Sequence, residues 1–239
     1  MSEFLAGPVG AKLAYELRGN TGPFIVFVHG LSANRKCFQF LENALHAQMD
    51  CTTLTYDLRG RGHSDKPQGP YGPRVHAADL GVLLGTSRLR KLKTRPVIIA
   101  HSLGAYAALE YASRTALRAL VLLDGGGSLN RLEAVCIYTL LRLSFIRLGK
   151  RFPSESEYLD LVRKSPLVRE WNPQMEALLR YDEAKQSGLF HAFFVVEPVL
   201  RQYIHKDPWL VGSLIERSGN QNELSTDNRR AYIVLAYWA

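Results

Sequence analysis

The stretch PVIIAHSLGAYA, Pro96–Ala107, decides how the rest of this chain is read. A short β-prone run, Val97–Ala100, breaks at His101-Ser102-Leu103-Gly104, and a helix-patterned segment, Ala105–Ala112, follows at once. Strand, sharp turn and helix around a Gly-x-Ser-x-Gly-like pentapeptide are the context in which a serine hydroxyl is lifted clear of a sheet. At a helix N-terminus, backbone N–H groups and the helix dipole favour developing negative charge. The tight turn calls for small residues on both sides of Ser102, and they are Ala100 and Gly104. Alone, the pentapeptide equally fits a buried serine in an ordinary strand–helix turn. The surrounding pattern separates the two.

Outward from Ser102, apolar strand-like runs alternate with helical spacing. Ala11–Leu17 alternates loosely, and Phe24–His29 is continuously apolar, as in a strand buried on both faces of a parallel sheet. Cys51–Leu58 is rich in β-branched residues, and Ala119–Asp124 is a further apolar run. Arg35–Ala47, Arg74–Leu92 and Leu103–Ser113 carry helical spacing. Short crossovers between strands and helices predict an α/β fold with a doubly wound, mostly parallel sheet. Such sheets place their sites beyond the carboxyl ends of the strands. His29, the loop Asp57–Asp65, Ser102 and Asp124 all fall at such ends, hence on one edge.

The rhythm changes after Gly127. Arg131–Arg147, Glu155–Lys164 and Pro173–Tyr181 read as helices, with Ser154 and Glu157 spaced as a capping box. The first of them has a wide apolar face, with Val135, Ile137, Leu141 and Phe145. That face fits a lid over an apolar pocket, with Arg142 and Arg147 outward, or a helix lying on a membrane surface. The expected division is a core at 1–127, a helical lid at 128–215 and a C-terminal segment at 216–239 that holds a truncated core strand, the C-terminal strands of the sheet being either incomplete or remodelled.

Composition narrows the classes. The 239 residues suit one domain with an inserted subdomain. No basic start followed by an apolar run opens the chain, and no apolar stretch is long enough to span a bilayer, so a cytoplasmic protein is expected. Cys37, Cys51 and Cys136 are too few and scattered for a disulfide framework or metal cluster. The net charge of +8 draws on the run Arg88–Arg95. No aromatic residue interleaves it, so a solvated helix C-terminus is preferred to a nucleic-acid patch. No nucleic-acid partner, metal or organic cofactor is expected.

Four blocks stand in an order that resembles the α/β-hydrolase superfamily, in its serine-hydrolase and esterase-like branch. They are FVHGLSAN (Phe27–Asn34), YDLRGRGHSDKP (Tyr56–Pro67), IAHSLGAYAALEYA (Ile99–Ala112) and ALVLLDGGG (Ala119–Gly127). The resemblance implies Ser102 as nucleophile, with the amides of Leu31 and Leu103 as the oxyanion hole. It gives His29 and His63 scaffold roles, and His101 is expected to point away along the turn. A serine rather than an aspartate at the elbow points to esters, thioesters or lactones, or, under a specialised lid, carbon–carbon bonds of diketones.

A serine needs a base and the base an orienting acid, and the family's order is Ser, acid, His. The usual blocks for the acid and the histidine are missing after the lid. Asp124 is either the acid or the aspartate that merely ends its strand; Asp182 is a weaker acid candidate. Only His191 and His205 follow the elbow. His205, ahead of Lys206-Asp207-Pro208, is either the general base or a surface histidine. The expected function is ester hydrolysis of a small apolar substrate through an acyl-enzyme on Ser102. The alternative is a truncated, catalytically impaired relative with a binding role or none.

Overall fold

The computed structural model describes residues 3–6, 10–31, 33–86, 89, 94–127, 132, 135, 151–164, 171–181, 190–191 and 233–236. Its strands are β1 (Glu3–Ala6), β2 (Lys12–Arg18), β3 (Phe24–Val28), β4 (Thr52–Tyr56), β5 (Val97–His101), β6 (Ala119–Leu123), β7 (Arg151–Phe152), β8 (Phe190–His191) and β9 (Ile233–Ala236). Its helices are α1 (Gln39–Gln48), α2 (Pro73–Leu84), α3 (Leu103–Ala112), α4 (Glu155–Arg163) and α5 (Pro173–Tyr181). One seven-stranded sheet runs β1-β2-β4-β3-β5-β6-β9. The pairs β4–β3, β3–β5, β5–β6 and β6–β9 are parallel. β1 and β2 enter antiparallel. β7 and β8 form a separate antiparallel pair.

The period of two in the strands explains the two-sided core. Val26 and Val28, Ile98 and Ala100, and Leu120 and Leu122 face one side, where Leu80 and Leu83 of α2 and Ala105, Ala108 and Leu109 of α3 cover them. Ile25, Phe27, Val97, Ile99 and Leu123 face the other side, with Phe38, Leu41 and Leu45 from the α1 region. β3 and β4 are buried along their whole length, which is why their sequences show no polar alternation. Each fully buried side chain of leucine or valine size contributes about 1.5–3 kcal/mol over leaving it exposed.

Several boundaries differ from the expected ones. The Arg35–Ala47 segment is split: Arg35–Phe38 is a 3-10 turn, capped by the Asn34 side chain accepting from the Lys36 amide, and α1 begins at Gln39. α2 stops at Leu84, where the Gly85 amide closes on the Gly81 carbonyl, so the helix does not run on to Leu92. Glycines at 81 and 85 weaken the helix where the periodic pattern continues. Most of the Arg88–Arg95 run lies outside the described residues. β1 carries too short a signal to be read from sequence. α4 begins as expected, with the Ser154 hydroxyl accepting from the Glu157 amide. Of the Arg131–Arg147 segment only Leu132 and Val135 are described, both helical and exposed.

Candidate active site

Three chain turns meet at the carboxyl edge of β3, β5 and β6. The β5–α3 turn is the sharpest. Ser102 has φ 50° and ψ −117°, a conformation that L residues rarely adopt. Its amide donates to the Leu123 carbonyl at 3.0 Å, which anchors the turn to β6. Gly104 lets the helix start against β3: a Cβ there would lie 2.3 Å from the Val28 carbonyl oxygen and 2.6 Å from that of His29. Leu103 opens α3, a position whose amide has no carbonyl one turn earlier to bond.

The β3 turn, His29-Gly30-Leu31, lies directly beside it. A methyl on Gly30 would stand 2.8 Å from His101 Nδ1 and 3.0 Å from Ser102 Cβ. The imidazole of His101 therefore shares the small space above Gly30 with the serine side chain, a correction to the expectation that it points away. His29 is buried, and its Nε2 accepts from the Leu58 amide at 3.0 Å. Its Nδ1 must then carry the proton, donated to the Gly30 carbonyl at 2.8 Å. Burial pushes its pKa down to about 4, against an opposing pull from Asp57. With both nitrogens engaged and the ring neutral, His29 braces the turn and is not placed to take a proton from Ser102.

The loop after β4 supports this turn from below. Asp57 is buried, and its carboxylate accepts from the amides of Arg35 at 2.9 Å and His63 at 3.0 Å and from the Tyr181 hydroxyl at 2.8 Å. Arg59 pairs bidentately with Asp79 of α2, at 2.6 and 2.5 Å, both side chains fully buried. Burial raises the Asp79 pKa, against the opposing effect of the Arg59 hydrogen bond and charge. Arg61 is buried too; its Nε donates to the Leu31 carbonyl and its Nη1 to the Gly60 carbonyl at 2.7 Å. His63 stacks on the Tyr181 ring at 4.1 Å, and Arg35 lies over the same ring. Tyr181 is the last residue of α5, so this segment of the expected lid meets the loop at its C-terminal end.

Asp124 follows β6 with φ 46° and its side chain is 66% exposed. Its Oδ2 lies 4.0 Å from His101 Nε2, within ion-pair range but too long for a hydrogen bond. Burial lowers the His101 pKa, and Asp124 pulls it back upward. Ser102, Leu31, Leu103 and Asp124 thus gather at one edge. His205 and Asp182 lie outside the described residues, and of His191 only its backbone, paired with Arg151, is described. Sequence reasoning missed Arg61 and Tyr181. The alternating arginines of LRGRG were a faint signal for Arg61. Nothing local marks Tyr181, whose partner Asp57 is 124 residues away.

A shallow cleft between α4 and α5, lined by Leu159, Arg163, Trp171 and Arg180, touches none of the elbow residues. Among the described residues no three His, Cys, Asp or Glu side chains converge as metal ligands. No helix among them is long and apolar enough to cross a membrane.

Comparison with known proteins bears on the whole arrangement. The model of the Alpha/beta hydrolase family matches residues 25–226. An uncharacterised protein of Mycobacterium tuberculosis is 30% identical over 163 residues, 66% of this chain and 42% of its own length. The 2-(acetamidomethylene)succinate hydrolase of Mesorhizobium japonicum is 31% identical over 106 residues, 44% of this chain and 36% of its own length. The chain thus spans about two fifths of these curated relatives. Among solved structures, an E-2-(acetamidomethylene)succinate hydrolase superposes with a TM-score of 0.69 at 18% identity, covering 99% of this chain and 91% of the other. At that identity the likeness is one of fold.

Proposed function

The chain belongs to the Alpha/beta hydrolase family, and from that premise we propose that it cleaves carboxylic esters, thioesters or lactones through an acyl-enzyme on Ser102. The observation that carries the reading is the Ser102 turn, with φ 50° at the first turn of α3 and the Gly30–Leu31 turn packed against it. The hydroxyl attacks the substrate carbonyl, and the oxyanion that forms is met by the amides of Leu31 and Leu103. Two such preorganised donors act where charge develops, and losing one costs about 3–4 kcal/mol of transition-state stabilisation in a known case. Asp124 is proposed as the acid and His205 as the base that takes the Ser102 proton and returns it to the leaving group. The acyl part is proposed to be small and apolar, matched to Val135, Ile137, Leu141 and Phe145 of the lid segment. The division into core 1–127, lid 128–215 and returning segment 216–239 belongs to the same proposal, and the pairing of β9 with β6 supports its last part.

A second reading, a binding form without turnover, draws on one observation. The Asp124 carboxylate lies 4.0 Å from the imidazole of His101, a histidine that precedes Ser102 in the chain. The experiment is labelling of the purified full chain with a fluorophosphonate probe, with Ser102→Ala as control. Covalent modification of Ser102 supports the hydrolase. A cooperatively folded sample that stays unlabelled overturns it in favour of the binding form.

A further inference from the structure

Leu31 lies between two peptide planes, and both are held from the protein side. The Gly30 carbonyl accepts from His29 Nδ1 at 2.8 Å and from the Ala33 amide at 3.3 Å. A trans peptide points its N–H opposite to its C=O, so these donors aim the Leu31 amide away from themselves. The following carbonyl, that of Leu31 itself, accepts from Arg61 Nε. Arg61 is 5% exposed and clamped onto its own loop through the Gly60 carbonyl. Its charge lies close enough to His29 and His76 to help lower both of their pKa values. Arg59, two residues earlier, is already matched by Asp79, so the two arginines divide their work.

We propose that Arg61 is a positioning residue for acyl transfer: it locks the Leu31 carbonyl so that the Leu31 amide stays aimed at the oxyanion formed on Ser102. The proposal rests on the hydrolase reading above. Arginine suits the task because its planar guanidinium donates from several fixed directions at once, to Leu31 and Gly60 together. Lysine keeps the charge but donates from a single terminal nitrogen. Because negative charge builds on the carbonyl or phosphoryl oxygen only once Ser102 attacks, loosening Leu31 slows the chemical step without weakening the initial binding of the reagent.

The test compares the full chain as wild type, Arg61→Met and Arg61→Lys by two measurements. The first is the rate of Ser102 phosphonylation by a fluorophosphonate, which forms the Oγ–P bond and expels fluoride, as a function of probe concentration. The second is amide hydrogen exchange of segment 27–34, followed by mass spectrometry. Expected for Arg61→Met are a maximal phosphonylation rate lowered about ten- to hundredfold, an unchanged half-saturating concentration and faster exchange in 27–34. Arg61→Lys falls between the two. Phosphonylation within twofold of wild type in Arg61→Met, or unaltered exchange in 27–34, overturns the proposal. If Arg61→Met does not fold, Arg61→Lys decides by the same two criteria. A folded wild type that resists labelling sinks the hydrolase reading instead, and the exchange comparison still decides whether Arg61 holds the Leu31 turn.

Discussion

Ser102 and Asp124 bend their chains at the same place on neighbouring strands. They are the two non-glycine residues of positive φ among the described residues, at 50° and 46°. Each follows a member of the registered pair His101–Leu123, and the Ser102 amide bonds the Leu123 carbonyl. Gly125 completes the fit: a Cβ there would lie 2.7 Å from the Ser102 carbonyl oxygen. A conformation of this kind costs on the order of 1–3 kcal/mol and persists where the surroundings over-determine it. Asp tolerates positive φ better than most residues; Ser does not. The strain is therefore concentrated at Ser102, the residue proposed to react.

Relief of that strain is measurable. Ser102→Gly removes the steric cost of φ 50° and is expected to stabilise the fold by about 1 kcal/mol net of glycine's greater unfolded-state entropy. In thermal unfolding this reads as a Tm about 2–4 °C higher, with the fluorophosphonate labelling expected of the proposed nucleophile lost. A lower Tm would show that the serine side chain contributes more to folding than its backbone costs.

What could be read from the sequence was what is local. β3 and β4 announce themselves because strands buried on both faces have no polar alternation to blur them. Ser154 and Glu157 mark the start of α4, and Pro173–Tyr181 was bounded correctly. The helical spacing continues past Gly85 to Leu92, whereas α2 ends at Leu84, because the glycines at 81 and 85 outweigh the pattern. At the site, Ser102, Gly30 and Gly104 were legible as a motif. Arg61 and Tyr181 were not, because their partners Leu31 and Asp57 are brought to them only by tertiary folding. The side chain of His101 was misplaced for the same reason: its neighbours Gly30 and Asp124 come from two other strand ends.

Two glycines should respond in opposite directions. Gly104→Ala drives a Cβ to 2.3 Å from the Val28 carbonyl oxygen, against backbone that cannot move without separating α3 from β3. Its expected cost exceeds about 3 kcal/mol, at the upper end for a single substitution. Gly81→Ala in α2 places its methyl 3.6 Å from the Tyr111 ring, ordinary contact, and gains helix propensity of about 0.5–1 kcal/mol. Urea unfolding midpoints of the two variants should move to opposite sides of wild type.

The Arg59–Asp79 pair ties the loop after β4 to α2. Removing one partner leaves a buried charge, so Asp79→Leu alone is expected to destabilise by about 3–5 kcal/mol. Arg59→Met combined with Asp79→Leu removes both charges and should recover most of that loss. A double variant no more stable than Asp79→Leu would mean that the pair matters for more than mutual neutralisation.

Tyr181→Phe deletes the hydroxyl donor to the Asp57 carboxylate, leaves the donors from the Arg35 and His63 amides, and keeps the stacking on His63. A cost of about 1 kcal/mol is expected, localised to the α5 contact. Hydrogen exchange in Pro173–Tyr181 should quicken while that in β3 and β5 stays as in wild type. Uniform quickening across the sheet would contradict a local role.

Acid should destabilise the core through two histidines. His29 and His76 are buried, and burial lowers their pKa values to about 4 and about 3, from 6.5. Between pH 6.5 and these values the unfolded chain binds protons that the folded chain refuses. Stability contributed by the two neutral rings is therefore intact above pH 6.5 and declines as pH falls toward 4 and 3. Each ring contributes a slope of about 1.4 kcal/mol per pH unit across its window. Urea midpoints measured from pH 7.5 down to 4.5 should fall progressively, in excess of what exposed carboxylates produce. His76→Leu removes one of the two groups, and with it the steric match but also the proton uptake. Its curve should start lower at pH 7.5 and descend less steeply. Parallel curves for wild type and His76→Leu would mean that His76 is not the neutral, proton-refusing group its burial makes it.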